Sequence, residues 1–115
     1  MFYSLVKVVT LIMQKYGSNN KLIAQEGKRD ELATILLEAS RLVSELKGCQ
    51  IYLVSKDIEE ENTIWVTEVW DSKEDHAQSL TLDSVRALIM QAIPLLASQP
   101  EKGHDLEVIG GHGIN

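Results

Sequence analysis

Glu68 and His76 are the residues of this sequence best suited to moving a proton. His76 lies six residues past Trp70, in what the pattern indicates is the first turn of a helix. An unperturbed imidazole has a pKa of about 6.5, so it can accept or release a proton near neutral pH. Glu68 precedes it on a strand-like run and could orient the imidazole or act as the base itself. The simpler interpretations are a solvent-facing His and a Glu that pairs with a Lys or Arg.

Four further residues are of types that bind small molecules, and each also has a structural interpretation. The Trp70 indole could stack on an aromatic ring and donate one hydrogen bond, or it could belong to the core or to a dimer interface. Asn20 could hold a substrate or an oxygen species by hydrogen bonds, and Tyr52 could line a pocket. Arg86 could clamp an anionic intermediate or a carboxylate. Otherwise these three would be a polar strand residue, a packed strand Tyr and an exposed helix Arg.

Charge and cysteine content argue against several classes of partner. The net charge is −6 at pH 7 and no long Lys/Arg cluster offsets it, which argues against nucleic acid. The single Cys, Cys49, excludes an internal disulfide and a multi-Cys zinc site. We find no nucleotide-binding loop and no metal-ligand cluster, so the sequence predicts neither a metal nor another cofactor.

Residues 1–12 form an apolar N-terminal extension with Lys7 in its middle. The stretch is too short to span a bilayer, and it lacks the basic start and small-residue cleavage site of a secretory signal. Met13 could be an alternative start. We expect no membrane association and a cytoplasmic location. The length of the chain predicts a single domain, over residues 13–110, followed by a tail over residues 111–115.

A β-hairpin is predicted just upstream of His76. Residues 50–56 and 64–70 read as strands, and the acidic stretch 57–62 between them reads as an exposed turn. Alternation along the second strand divides its side chains between two faces. One face carries Ile64, Val66, Glu68 and Trp70, and the other carries Trp65, Thr67 and Val69.

Helices are predicted on either side of this hairpin. Apolar residues recur at helical spacing between residues 32 and 46, and Gly48 supplies a stop signal. Ser72, followed three residues later by Asp75, resembles a capping box and predicts a short helix. Asp83 can cap a second apolar helical segment beyond it.

The two ends of the domain are less regular. By local propensity, residues 16–20 read as a turn between strands at 6–12 and 21–24. Near the other end, residues 99–104 read as a polar loop and residues 106–109 as the last strand.

The order is therefore β-α-β-β-α-β, the split βαβ arrangement of an α+β ferredoxin-like sandwich. The strands would form a mostly antiparallel sheet with both helices on one face. The second face would be bare, and a chain of 115 residues cannot cover it alone. We therefore expect a homodimer packed sheet against sheet.

Together these pieces resemble the antibiotic biosynthesis monooxygenase family, whose members form a dimeric α+β barrel. The resemblance covers roughly residues 13–110 and depends on the order and spacing of the pieces. The pieces are Lys-Leu-Ile-Ala at 21–24 with Gly-Lys-Arg-Asp-Glu-Leu at 27–32, Gly48-Cys49 before a strand, Glu68-Val69-Trp70 with Ser72 and His76, Val85, Leu88 and Ile89, and Leu106-Glu107-Val108. One departure is Glu26, where the family often has Pro before the Gly.

The resemblance implies a change in the first strand. In such proteins that strand runs directly into the Gly-Lys-Arg helix start, so residues 16–24 would be continuous strand. Asn19 and Asn20 would then be strand residues, and one of them should point into a pocket under the helices. We adopt this version.

The resemblance also implies a range of functions. Relatives include monooxygenases that use no cofactor and oxidise quinols or polyketide phenols with O2, haem-degrading enzymes, and an isomerase of a phosphorylated signalling sugar. The haem-degrading branch uses an Asn on the first strand, which Asn20 could match, and a Trp and a His in the second helical region. This chain has no Trp after Trp70 and no His between His76 and His104, so haem degradation is disfavoured.

We therefore expect a cofactor-independent monooxygenase that oxidises a small aromatic quinol or a hydroxylated polycycle with O2. His76 and Glu68 would form the catalytic pair, and Asn20, Trp70, Arg86 and Tyr52 would bind the substrate. Two alternatives stay open. One is an isomerase of a small phosphorylated or polar compound, anchored by Arg86 and Lys21, and the other is a non-catalytic dimer that binds a small molecule.

Overall fold

The computed structural model describes residues 15–114, and within them the strands and helices follow the predicted order, with the second helical region split in two. The elements are β1 (Lys15–Ile23), α1 (Arg29–Val43), β2 (Cys49–Lys56), β3 (Thr63–Trp70), α2 (Lys73–Ser79), α3 (Asp83–Ala92), a 3-10 turn (Ile93–Leu95) and β4 (Glu101–Val108). The apolar extension at 1–12 and the strand predicted at 6–12 lie outside the described residues. The ferredoxin-like α+β prediction is confirmed.

The strands form one antiparallel sheet in the order β2-β3-β1-β4, which makes β1 and β3 the central strands. In this register Glu68 on β3 lies opposite Ser18 on β1 and Tyr52 on β2. Directly opposed residues point to the same face of a sheet, so these three side chains form one row across it. The sheet therefore joins residues that are widely separated in sequence.

The helices cover one face of this sheet and enclose two apolar clusters. The larger cluster includes Leu32 of α1 and Ile64 of β3, and the smaller one joins Val43 and Val85 to Trp70. The apolar stripe predicted for the first helix and the predicted faces of β3 are thereby confirmed. No helix within residues 15–114 is long and apolar enough to cross a membrane.

Strand β1 is continuous through the stretch that local propensity reads as a turn, so the turn predicted at 16–20 is wrong and the continuous strand is confirmed. Side-chain hydrogen bonds fix the two Asn residues in the strand. Asn19 Oδ1 accepts from the Thr67 hydroxyl at 3.1 Å, and Asn20 Oδ1 accepts from the Gly103 backbone N–H at 3.1 Å. Pairing with both neighbouring strands therefore outweighs the turn preference of Gly, Ser and Asn.

The polar loop predicted at 99–104 is wrong from Glu101 onward, because β4 already starts there. Glu101 pairs with Lys21 across the edge of β1, and the register shifts between Asn19 and Lys21. β4 is an edge strand, and polar side chains are common on edge strands because one side of the strand is open to water. The polar composition of its first residues therefore favoured a loop in the prediction, although these residues pair with β1.

The face of the sheet away from the helices carries exposed apolar side chains. Leu53 on β2 and Leu106 on β4 are both about half exposed. Trp65 lies on this face, as predicted, and its indole N–H donates to Asp57 Oδ2 at 2.8 Å. The homodimer that would cover this face stays a prediction.

Candidate active site

A cavity of about 220 Å³ lies between the helices and the face of the sheet that they cover. Its apolar lining residues are Leu22, Ile35, Leu36, Ala39, Val43, Leu80, Val85, Leu88, Ile89, Ala92, Ile93, Leu96 and Pro100. Among the described residues, polar side chains reach the lining at Tyr52, Glu68 and Ser79. The cavity therefore suits an apolar ring that directs a polar group at one wall.

Glu68 supplies a buried carboxyl group to that wall. Its side chain is 10% exposed, and the Trp70 indole N–H donates to Glu68 Oε1 at 3.0 Å. The contact follows from the strand, because residues two apart on β3 share a face. Burial raises the pKa of Glu68, and this effect exceeds the lowering by the Trp70 hydrogen bond and by the charge of protonated His76. A carboxylate with a raised pKa is a stronger base than an exposed one.

His76 reaches the same carboxylate from α2. The helix starts as predicted, because the Ser72 hydroxyl accepts from the Asp75 backbone N–H at 3.1 Å and caps it. His76 Nε2 then lies 3.7 Å from Glu68 Oε1, and its ring meets the Trp70 indole edge-on with centroids 5.7 Å apart. His76 is not among the lining residues of the cavity, so its contact with the site is through the Glu68 carboxyl group.

Tyr52 stands beside Glu68 in the cavity wall. Burial raises the pKa of Tyr52 well above its usual range, and the Glu68 charge adds to this effect. The hydroxyl therefore stays protonated and can donate a hydrogen bond to a ligand oxygen. The Ser40 hydroxyl donates to the Tyr52 carbonyl at 3.1 Å, which ties α1 to β2 at this point.

The other predicted site residues lie around the cavity rather than in its lining. Trp70 is fully buried and contacts Glu68, so its indole positions the carboxylate. Asn20 uses its carbonyl oxygen to hold the start of β4 through Gly103. Arg86 is exposed on α3. The structure thus brings Glu68, Trp70, His76 and Tyr52 together, and it leaves Asn20 and Arg86 apart from them.

Tyr16 is a neighbour of this site that the sequence did not indicate. Its ring centroid lies 5.4 Å from that of His76, and its hydroxyl donates to Asp105 Oδ1 at 2.8 Å. Burial, together with this bond to a carboxylate, raises the pKa of Tyr16 to about 12. Tyr16 lies directly opposite Trp70 in the β1–β3 register, and that pairing is the signal that could have identified it.

Charge in the cavity comes from Glu68. Within residues 15–114 the lining contains no Lys, Arg or His. In the same part of the chain, no group of three or more His, Cys, Asp or Glu side chains is placed to hold a metal ion. A neutral ligand with an acidic proton suits such a wall better than an anion, which the carboxylate would repel.

A sequence model of the antibiotic biosynthesis monooxygenases matches residues 16–90 of the chain. No curated protein matches it. Among solved structures, a protein from Chloroflexus aurantiacus, provisionally named an antibiotic biosynthesis monooxygenase, is 42% identical with a TM-score of 0.79. The match covers 88% of this chain and 99% of that one.

Two more distant structures share the fold. A protein from Caulobacter crescentus with the same provisional name is 22% identical and has a TM-score of 0.78, over 90% of this chain and 99% of that chain. A conserved protein from Methanosarcina mazei is 16% identical with a TM-score of 0.75, over 82% of this chain and 92% of that chain. At these identities the likeness concerns the fold alone.

Proposed function

The chain belongs to the antibiotic biosynthesis monooxygenase family, and on that premise we propose that it is a cofactor-independent monooxygenase that oxidises a small aromatic quinol with O2. The observation that carries the proposal is Glu68, a buried carboxyl group with a raised pKa in the wall of an otherwise apolar cavity. The Glu68 carboxylate can remove a proton from a phenolic hydroxyl while the apolar part of the cavity surrounds the ring.

The size of the cavity favours a quinol of one or two rings over a larger hydroxylated polycycle. An apolar cavity of about 150 Å³ holds a benzene molecule. The cavity of about 220 Å³ is therefore large enough for one ring or two fused rings and too small for a larger polycycle. Close apolar walls also hold the ring in a fixed orientation toward Glu68, which favours reaction over diffusion out of the site.

The reaction needs no reductant besides the substrate. Glu68 takes the phenolic proton, and a ring carbon of the electron-rich quinolate forms a bond to O2. Glu68 returns the proton to the resulting peroxide, and loss of water from the hydroperoxide leaves a new carbonyl group. The net change is quinol plus O2 to hydroxyquinone plus water, so one oxygen atom enters the product and the substrate supplies all the electrons.

The neighbouring side chains assist this proton transfer. Tyr52 is held protonated and can donate a hydrogen bond to a quinol oxygen or to the peroxide. His76 contacts Glu68 and retains partial solvent exposure, so it can exchange the proton with bulk water. Trp70 fixes the orientation of the carboxylate through its N–H.

Two observations count against the alternatives. An isomerase of a phosphorylated compound needs a cation in the cavity, but Arg86 is exposed and Lys21 pairs with Glu60 at 2.9 Å. A non-catalytic dimer would leave Glu68 and His76 facing solvent, but their side chains are only 10% and 18% exposed and lie 3.7 Å apart. The monooxygenase therefore accounts for the site better than either alternative.

We also propose the homodimer that the bare face of the sheet suggests. Leu53 and Leu106 on that face would become buried between two sheets. Sedimentation of the wild-type protein should give a dimer, and Leu53→Asp should shift it toward monomer. A wild-type monomer would contradict the proposal.

Oxygen uptake with a panel of one- and two-ring hydroquinones tests the activity, with autoxidation of each compound subtracted. Glu68→Gln should lower kcat/KM by about 10²- to 10⁴-fold, the usual contribution of a general base. Glu26→Gln, an exposed site, makes the same change of charge and should leave the rate unchanged. Absence of turnover on the whole panel, or full activity of Glu68→Gln, sinks the proposal.

A further inference from the structure

We infer that the natural substrate is an amphipathic quinol whose hydrocarbon chain leaves the cavity across an apolar rim. The rim consists of Leu80, which follows α2, and of Ile89 and Ile93 on α3 and the turn after it. The inference rests on the proposed function and adds to it the class of ring substituent. It follows from where polar and apolar groups lie in the cavity.

Two polar residues of the cavity lining are buried, whereas three of its apolar residues are exposed. Glu68 and Ser79 are both buried. The rim residues line the same cavity but are solvent exposed, by 45% for Leu80, 41% for Ile89 and 54% for Ile93. The buried polar residues can hydrogen-bond a hydroxyl group, and the exposed apolar side chains can contact hydrocarbon. The hydroxyl of the substrate therefore points inward and its apolar part points outward.

The rim extends the apolar surface of the cavity into solvent. Ile89 and Ile93 are four residues apart, so they lie one above the other on the same side of the helix. Exposed apolar side chains that belong to the lining of a pocket are typical of a ligand-binding groove. Since the cavity of about 220 Å³ is filled by the ring, an alkyl chain on the ring must cross these side chains as it emerges.

Binding can be measured without turnover by calorimetric titration under strict exclusion of O2. The ligands are hydroquinones that carry methyl, propyl or hexyl groups, short enough to stay monomeric in water. Transfer of one methylene from water to an apolar surface gains about a factor of four in affinity when it is fully buried, and about a factor of two when it is half covered. We therefore expect the hexyl compound to bind at least about thirtyfold more tightly than the methyl compound.

Two matched substitutions test the rim itself. Ile93→Ser should reduce the ratio of hexyl to methyl affinity by about fivefold or more, because the chain loses its apolar contact. Met90→Ser is the control, since Met90 lies on α3 three residues before Ile93 and is 68% exposed but does not line the cavity. It should leave the ratio within about twofold of the wild-type value.

Several outcomes would overturn the inference. These are equal affinities for the methyl and hexyl compounds, or an equal effect of Ile93→Ser and Met90→Ser. A third such outcome would come from sedimentation. If Ile93→Ser converts a dimer to monomers, the rim is an interface with a second copy of the chain. The two proposals fail in different ways. Tight binding of the hexyl compound without O2 uptake would contradict the monooxygenase proposal. Equal binding and turnover of compounds of every chain length would contradict only the inference that the substrate is amphipathic.

Discussion

Glu68 and His76 meet at the edge of the cavity, with His76 Nε2 at 3.7 Å from Glu68 Oε1, although one residue lies on the sheet and the other on a helix. The carboxylate oxygen that His76 approaches also accepts the Trp70 N–H. Both contacts are therefore made to one oxygen of a carboxyl group that lines the cavity. Burial favours the protonated form of Glu68, whereas the contacts with Trp70 and with protonated His76 favour the carboxylate.

Replacement of Trp70 by Phe should move the acidic limb of the kcat/KM profile to higher pH. The indole N–H stabilises the carboxylate and lowers the pKa of Glu68, so its loss raises that pKa. Activity should fall several-fold at the acidic end and recover as the pH rises. Trp65→Phe is the matched control, because Trp65 donates to Asp57 on the far side of the sheet. A uniform loss of activity at every pH would contradict the assigned role of Trp70.

Burial of Glu68 should also make folding stability depend on pH. Because the pKa is raised in the folded state, the stabilisation is fully present below the unfolded value of about 4.3 and is lost as pH rises through the folded value. Glu68→Gln has no such titration. The free energy of unfolding of Glu68→Gln relative to wild type, from urea curves at pH 4 to 8, should therefore increase with pH. Parallel pH profiles for the two proteins would rule this out.

The contact between Glu68 and His76 could be predicted from two local patterns. Alternation along β3 placed Glu68 with Trp70 on the covered face, and the Ser72 cap fixed the start of the helix that carries His76. Both signals depend on residues that are close in sequence, so they can be recognised without knowledge of the tertiary structure. The outward position of Arg86 follows from a similar rule, because each step along a helix turns by about 100° and Val85 faces inward.

Tyr16 and the start of β4 could not be predicted in this way. Gly17, Ser18 and the two Asn residues that follow Tyr16 favour a turn, and only pairing with β3 and β4 makes this stretch a strand. The cavity could not be predicted from the sequence either. Leu88, Ile89, Ile93 and Leu96 have the spacing of core residues, but they line a space rather than fill it.

Tyr16→Phe should destabilise the fold by about 1 kcal/mol, because it removes a hydrogen bond to the Asp105 carboxylate. The phenol itself can be followed by tyrosinate absorbance, as the difference between wild type and Tyr16→Phe. It should titrate near pH 12 rather than near its ordinary value of about 10. Asp105→Asn should lower that pKa, since it removes a charge that opposes ionisation. An unchanged titration in Asp105→Asn would show that Asp105 does not act on the phenol.

Gly48→Ala should cost more stability than Gly27→Ala, although both residues have left-handed backbone angles, with φ of +86° and +78°. A Cβ at position 27 meets nothing within 4 Å, so that variant bears only the backbone strain of about 1–2 kcal/mol. A Cβ at position 48 would collide with the Asp75 side chain on α2. The difference between the two variants, measured by urea unfolding, should exceed about 1 kcal/mol.

The collision at position 48 also links this turn to the proposed catalytic pair. Asp75 immediately precedes His76, so a displacement of Asp75 shifts the imidazole relative to Glu68. Gly48→Ala should therefore lower kcat for the quinol, whereas Gly27→Ala should leave it unchanged. Adding Asp75→Ala to Gly48→Ala should restore part of the stability, because it removes two of the three colliding atoms, Oδ2 and Cγ. Equal losses of stability in the two glycine variants would instead mean that backbone strain alone determines the cost at position 48.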